Sequence, residues 1–263
     1  MRLEAINELL GDVSSKINEI STFYDNSRKD ETIEKINNPI VKNALENLRS
    51  VLDYSACDIY EYVYNVHIDE IGKKIYFPYS NTKNKYKDLI QKSFPGLKMK
   101  NQSLYNSILS IQSFITQTPF IYDLCKITNY YKHNNSKKQQ RINSGKSTTD
   151  LKFKNMDGSF IRIEGDSNVY IKGCSFSNGS KTETVDNLLF SNDRLVKEMN
   201  KDLKGKLLIE RNFEKVRFDI DGIDILSLID TAYKEICIYI KNVYKIISWD
   251  LLTLAMYNNE NIK

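Results

Sequence analysis

The chain is poor in the residue types on which several common kinds of site depend. It contains 2 His and 4 Cys in 263 residues, and no two cysteines form a Cys-x-x-Cys pair. Structural zinc sites need four Cys or His ligands at close spacing. We therefore expect no metal site and no cofactor, and we interpret the cysteines as reduced core thiols. Glycine and proline are scarce as well, with 10 and 4 residues, which excludes collagen-like and low-complexity chains.

Long apolar runs are also missing from the sequence. A membrane-spanning helix needs ~20 consecutive apolar residues, whereas even the apolar stretch 223–256 is interrupted by seven charged residues. The first residues carry acids, at Glu4 and Glu8, where a targeting signal would be basic and then apolar. We therefore expect a soluble, cytoplasmic protein that makes no membrane contact.

Positive charge is concentrated in the middle third of the chain. The net charge is +4, but residues 71–149 contain 14 Lys/Arg and 2 Asp/Glu, against 7 and 14 in residues 1–70 and 17 and 18 in residues 150–263. A cluster of positive charge attracts polyanions or an acidic surface. The middle third is therefore predicted to bind RNA or an acidic protein partner. The acidic first third could itself be that surface, within one chain or across a homodimer.

The spacing of apolar residues predicts a helical first half. Apolar residues recur at three- and four-residue steps over 2–25 and 39–65, and again over 86–94, 104–114 and 120–133. This is the period of an amphipathic helix. We therefore expect the first half of the chain to form a bundle of four or five helices.

The composition changes after the helical half. Residues 136–149 consist of Ser, Lys, Gln, Arg, Asn, Gly and Thr with a single apolar residue, which is typical of a polar linker. Short β-type runs separated by turn residues follow, and they predict an antiparallel sheet. The runs lie at 151–154, 160–163, 169–172, 207–210 and 216–219.

Two further helices are expected in the second half. One lies near 193–203, and a long amphipathic helix begins near residue 225 and either returns to the bundle or caps the sheet. The expected fold class is α+β, with an N-terminal helical bundle (1–135), a basic polar linker (136–149), and a small antiparallel sheet with a long C-terminal helix (150–263).

The end of the predicted helix 120–133 carries the candidates for chemistry. His133 lies there beside Lys132, with Asn129 one turn earlier. A histidine titrates near neutral pH and can take the ribose 2′-hydroxyl proton in RNA cleavage, while a nearby cation stabilises the crowded phosphate. A histidine in the last helical turn can equally complement the helix dipole, so both roles stay open.

Basic residues and tyrosines around this helix end could bind RNA. Lysines contact phosphates, and tyrosine rings stack on unpaired bases. The candidate RNA-binding residues are Lys126, Tyr130, Tyr131, Lys137, Lys138, Arg141 and Lys146. The alternative interpretation is a solvated, charged linker beside two partly buried tyrosines.

Several short segments within residues 40–134 form a recognisable pattern. They are Leu48-Arg49-Ser50-Val51-Leu52-Asp53, Phe77-Pro78, Ile111-Gln112-Ser113-Phe114, Leu124, Asn129 and Lys132-His133. The pattern resembles a group of uncharacterised bacterial proteins whose helical half is similar to HEPN-type domains, which are helical bundles common in toxins and phage-defence systems. In the ribonuclease members the site is typically Arg-polar-x-x-x-His near the end of a helix, usually completed across a dimer.

The resemblance places His133 at the histidine and Asn129 at the polar residue, whereas Thr128 occupies the arginine position. It implies an RNA-binding protein of bacterial stress or antiviral defence, of the kind found in toxin–antitoxin systems. As an enzyme it would be a metal-independent endoribonuclease in which His133 is acid and base, Asn129 orients it and Lys132 contacts phosphate. Threonine lacks the charged fork that arginine offers to a phosphate. Thr128 therefore favours the alternative, a non-catalytic module that docks an acidic partner such as an antitoxin or a defence-complex subunit.

Overall fold

The computed structural model of this chain describes residues 1–72, 74–133, 139–153, 160–165, 169–177, 182–185, 188–190, 195–198 and 207–260. Within them, helices come first, antiparallel strands follow, and a long helix ends the described part of the chain. The α+β fold class expected from the sequence is therefore confirmed.

The helices follow the apolar stripes of the sequence. They are α1 (Leu3–Ser27), α2 (Asn38–Tyr64), α3 (Lys83–Ser93), α4 (Leu97–Lys100), α5 (Gln102–Ser110), α6 (Ser113–Thr116), α7 (Phe120–His133) and α8 (Ile225–Glu260), with a 3₁₀ turn at Ile68–Glu70. The predicted helix over 104–114 is divided between α5 and α6, because the backbone of Gln112 is extended. Among the described residues, no helix is long and apolar enough to cross a bilayer.

The strands form one larger sheet and two small ones. They are β1 (Gln140–Phe153), β2 (Phe160–Gly165), β3 (Val169–Ile171), β4 (Cys174–Ser177), β5 (Thr182–Val185), β6 (Leu188–Phe190), β7 (Leu195–Glu198), β8 (Leu207–Ile220) and β9 (Ile223–Asp224). The larger sheet has the order β2-β1-β8-β9, and each neighbouring pair in it is antiparallel. The small sheets have the orders β3-β6-β7 and β4-β5.

Three predictions for the second half of the chain are wrong in detail. The prediction of a polar linker over 136–149 is wrong for residues 140–149, which lie in β1. The separate strands predicted at 207–210 and 216–219 are one continuous strand, β8. The helix predicted near 193–203 does not hold for residues 195–198, which form β7.

The polar strand β1 is explained by its pairing with β8. Its inward residues are small and polar, such as Ser147 and Thr149, which are buried. The large buried side chains on this part of the sheet belong to β8. Phe213 of β8, for example, lies opposite Ser147 and is 2% exposed. Because the apolar side chains stand on the partner strand, β1 lacks the alternation by which a strand is recognised from sequence.

The chain divides into two compact units. The helical unit contains residues 1–18, 37–137 and 226–263, and the sheet unit contains residues 19–36 and 138–225. The sequence left open whether the C-terminal helix returns to the bundle or caps the sheet. In the structure, α8 belongs to the helical unit from residue 226 onward. The division differs from the predicted one in two places, because residues 19–36, which include the end of α1, belong with the strands, and residues 226–263 belong with the helices and not with the sheet.

The core of the helical unit contains a buried carboxylate. Asp58 of α2 accepts a hydrogen bond from the Tyr244 hydroxyl of α8, and it is 2.7 Å from Nη1 of Arg2. The hydroxyl of Tyr239 lies 3.1 Å from Oγ of Ser55. A buried charge is tolerated when its partners replace the lost water. These bonds join α2, α8 and the start of the chain.

In the sheet unit, basic side chains hold the connection after α1. The guanidinium of Arg141 on β1 donates to the backbone carbonyls of Ser27, Asp30 and Ile33 at 2.7–2.9 Å. Arg211 on β8, whose side chain is buried, is 3.1 Å from a carboxylate oxygen of Glu31. Both arginines therefore hold residues 27–33 against β1 and β8.

Candidate functional site

A cleft of about 910 Å³ opens in the helical unit beside residues 74–81, the segment that leads into α3. It is lined by residues from α2, this segment, α3 and α7. The polar and aromatic lining residues include Arg49, Asp53, Lys74, Tyr76, Tyr79, Lys85, Lys92, Tyr122 and Asn129, and Leu89 stands among them. The cleft lies within one compact unit, and it is large enough for a ligand of drug or nucleotide size.

Hydrogen bonds from α2 and from the junction between α5 and α6 fix the segment that forms one wall of the cleft. Asp53 of α2 accepts a bond from the backbone N–H of Phe77 at 2.8 Å. The buried amide of Gln112 accepts from the N–H of Ser80 at 3.1 Å and donates to the carbonyl of Pro78 at 3.0 Å. A backbone without regular secondary structure is therefore held in one conformation.

Arg49 closes the inner end of the cleft. Its side chain is 8% exposed, and its guanidinium lies 3.3 Å from the Asp53 carboxylate and 2.6 Å from Sγ of Cys125 on α7. The guanidinium carbon also lies 4.8 Å from the ring centre of Tyr79. Burial by itself would lower the pKa of Arg49, but Cys125 and Asp53 outweigh burial and raise it. Arg49 is therefore charged, and it neutralises Asp53.

The lysines give the cleft its net charge. Lys85 and Lys92 stand seven residues apart on α3 with Leu89 between them, which places all three on one helical face. The two lysines are separated by about 10 Å along the helix axis. Within the part of the chain that the structure describes, Lys74, Lys85 and Lys92 form no ion pair. Because the one acid among these lining residues is paired with Arg49, the cleft is positive.

Asn129 is the predicted site residue that the structure places in this cleft. Its amide N–H donates to the Tyr79 hydroxyl at 3.0 Å, and the rings of Tyr79 and Tyr122 lie 6.3 Å apart. Burial raises the pKa of Tyr79, so its phenol is protonated at neutral pH. Asn129 and Tyr79 therefore present polar hydrogen-bonding groups beside two aromatic rings.

Thr128, which stands at the arginine position of the predicted HEPN-type pattern, lies in the interior of the helical unit. It is fully buried, and its hydroxyl donates to the carbonyl of Leu124 at 2.6 Å within α7. Thr128 is not among the residues that line the cleft. The arginine beside α7 is instead Arg49, which comes from α2 and contacts Cys125, one helical turn before Asn129.

The other predicted catalytic residues end α7. His133 is its last residue and follows Asn129 by four positions, so the backbone places both on one helical stripe. The side chains of His133 and Lys132 lie outside the described residues, and their roles stay predictions. Lys137 and Lys138, two of the predicted RNA contacts, lie outside the described residues altogether.

The remaining predicted RNA contacts are spread over both units. In the helical unit Lys126 is exposed and Tyr130 is half-buried, whereas the ring of Tyr131 is 7% exposed and is not accessible for stacking on a base. In the sheet unit the Arg141 guanidinium is bonded to the carbonyls described above, which occupies it. Lys146 is exposed on β1. None of these residues is among those that line the cleft.

Sequence reasoning missed most of the cleft. Lys85 and Lys92 were visible only as part of the basic middle third, although their seven-residue spacing on a helix was a usable signal. Tyr76, Tyr79 and Arg49 are brought together by tertiary contacts. Among the described residues, no group of three or more His, Cys, Asp or Glu side chains is placed to hold a metal ion.

Comparisons of the chain with protein-family models, with curated proteins and with solved structures gave no match. The similarity to HEPN-type domains therefore stays a prediction.

Proposed function

We propose that the helical unit binds RNA in this cleft, as part of bacterial stress response or antiviral defence. The observation that carries the proposal is a set of three lysines that form no ion pair with any described residue, in a cleft whose acid is neutralised by Arg49. A concave surface of one sign of charge focuses the field and attracts polyanions. Lysine contacts to phosphates release counterions and provide most of the affinity for a nucleic acid.

The cleft also supports the enzymatic form of the proposal, a metal-independent endoribonuclease. Asn129 lines the cleft, and His133 follows it on the same helical stripe. In this hypothesis His133 takes the proton of the ribose 2′-hydroxyl as that oxygen attacks the phosphorus, and the protonated imidazole then protonates the leaving 5′-oxygen. Asn129 orients the reacting groups, and Lys132 contacts the phosphate.

A second candidate function is docking of an acidic protein segment, such as part of an antitoxin or a defence-complex subunit. One observation favours it. Tyr76 and Leu89 are 53% and 39% exposed and stand among the three lysines. An amphipathic acidic segment could place apolar side chains on these two residues and carboxylates on the lysines.

The proposal is tested by the salt dependence of RNA binding. The fluorescence anisotropy of a labelled single-stranded RNA is measured with the wild type, with the double variant Lys85→Gln/Lys92→Gln, and with the control Lys83→Gln/Lys87→Gln. The control removes the same charge from α3 outside the cleft. We expect binding that weakens steeply with salt. The cleft variant should bind more weakly, with a salt slope smaller by roughly 1.4, because two phosphate contacts are lost and each contributes about 0.7 on a single strand.

Other outcomes contradict RNA binding in the cleft. Equal losses in the two double variants would indicate a diffuse charge effect. Affinity that does not change with salt would argue against phosphate contacts. If poly-glutamate binds as tightly as RNA and displaces it, the acidic-partner function is favoured.

A further inference from the structure

Tyr76 is an aromatic residue turned outward from a fixed backbone. In the extended segment its neighbours Ile75 and Phe77 are 6% and 2% exposed, whereas Tyr76 is 53% exposed and lines the cleft. A single exposed aromatic residue is common on protein surfaces, but Tyr76 lines a concave surface together with three lysines. The alternation places Tyr76 outward, because successive side chains of an extended chain point to opposite sides.

We propose that Tyr76 is a stacking platform for one unpaired base of the RNA, and that this subsite makes the cleft selective for single strands. The inference rests on the RNA-binding function proposed above and deepens it. A nucleobase stacks on a tyrosine ring through its face, so the subsite accepts any base that is free of a duplex. Leu89, which lines the same cleft, adds an apolar contact.

The backbone under the platform is preorganised. The N–H of Phe77 is bound by Asp53, and the carbonyl of Pro78 and the N–H of Ser80 are bound by Gln112. Asp53 is in turn held by Arg49. A surface that is already ordered loses little conformational entropy when a ligand binds. Tyr76 is therefore presented at low entropic cost.

The charges around the platform fit a nucleotide chain. Lys74, Lys85 and Lys92 line the same cleft as Tyr76 and form no ion pair within the described residues. An unpaired base carries its phosphates on the same strand, so stacking on Tyr76 and phosphate contacts to the lysines can occur together. In a duplex the base faces are covered by neighbouring bases, and only the phosphate contacts remain.

The test separates base stacking from phosphate binding. Anisotropy is measured for a single-stranded RNA, an abasic strand of the same length, and a duplex, each with the wild type, Tyr76→Ala, Tyr76→Trp and the control Tyr54→Ala. Tyr54 is an exposed tyrosine on α2, 38% exposed, that does not line the cleft.

We expect Tyr76→Ala to weaken binding of the intact single strand by about 10- to 100-fold and to leave binding of the abasic strand unchanged. Tyr76→Trp should retain the affinity because its ring also stacks, and Tyr54→Ala should match the wild type. Each free variant is compared with the wild type by circular dichroism to show that it is folded.

Several results would overturn the inference. If the wild type binds the intact and abasic strands equally, or if Tyr76→Ala binds as the wild type does, base stacking is excluded while RNA binding stands. If the wild type binds none of the three nucleic acids, the proposed function fails, and the inference fails with it. If Tyr76→Ala weakens poly-glutamate binding and not RNA binding, the platform belongs to a protein partner.

Discussion

The cations of the cleft and those of the sheet unit differ in what they bind. Lys85 and Lys92 are exposed and form no ion pair among the described residues. Arg141 donates to three backbone carbonyls, and Arg211 lies 3.1 Å from Glu31. In the sheet unit the positive charge of these arginines is used to hold the fold, whereas in the cleft it is available to a ligand.

The number of positive charges in a segment therefore does not show how many of them are available to a ligand. The sequence marked both Arg141 and the α3 lysines as part of one basic region, because a count of charges does not show which side chains have partners. Substitutions of these arginines should therefore change stability, and substitutions of the cleft lysines should change binding. The following predictions test that division.

The largest expected effect is on RNA cleavage. If the end of α7 is catalytic, His133→Ala should reduce the cleavage rate by about 10²- to 10⁴-fold, because a general acid–base group contributes that much. Cleavage of end-labelled RNA is followed on gels with and without a chelator, and the chelator should have no effect.

The matched control for that experiment is the other histidine, His67→Ala. His67 caps the 3₁₀ turn at Ile68–Glu70, and its side chain is 58% exposed. Its removal should leave the cleavage rate unchanged. If the wild type leaves RNA intact, or if both histidine variants cleave as fast as the wild type, the ribonuclease hypothesis is wrong. RNA binding without cleavage would then leave the cleft as a binding site.

A smaller effect is expected on the stability of the sheet unit. Arg141→Met removes the three carbonyl bonds and keeps an unbranched apolar side chain, so it should lower the free energy of unfolding by about 2 kcal/mol. The midpoint of urea unfolding measures this change. RNA affinity should stay at the wild-type value, because Arg141 does not line the cleft.

Two controls sharpen the contrast. Lys146→Met removes an exposed charge from the same strand and should change the stability by less than about 0.5 kcal/mol. Lys85→Met should likewise leave the stability unchanged but weaken RNA binding. An Arg141→Met protein that is as stable as the wild type and binds RNA more weakly would contradict the division between the two sets of cations.

The elements that could be predicted are those whose apolar pattern lies within their own residues. The span of α7 was predicted as 120–133, and α2 was predicted to within a residue, because each helix carries its own apolar stripe. The first part of β1, residues 140–149, was missed because the apolar residues that bury it stand on β8, about sixty residues away in sequence. The cleft was only partly predictable for the same reason. Asn129 was predicted from the resemblance to the Arg-polar-x-x-x-His pattern, whereas Tyr76 and Arg49 gain their surroundings from distant segments.

The smallest expected effect concerns pH and the helical unit. Both nitrogens of the Arg2 fork donate to the Glu61 carboxylate at 3.0 Å, and the N–H of Ile68 donates to it at 3.1 Å. These bonds, chiefly those from Arg2, lower the pKa of Glu61. A carboxyl group with a lowered pKa stabilises the folded state above the unfolded-state pKa of about 4.3, and this contribution is lost as the pH falls through the folded-state value.

We therefore expect Glu61→Gln to lower the stability at neutral pH by less than about 1 kcal/mol, since the carboxylate is partly solvated. Between about pH 5 and pH 3 the variant should lose less stability than the wild type, because the titrating group is gone. Urea midpoints across this range measure both effects. Glu8→Gln is the control, since Glu8 is exposed on α1 and forms no ion pair within the described part of the chain. If Glu61→Gln and the wild type lose stability in parallel as the pH falls, Arg2 and Glu61 do not contribute to the acid sensitivity of the helical unit.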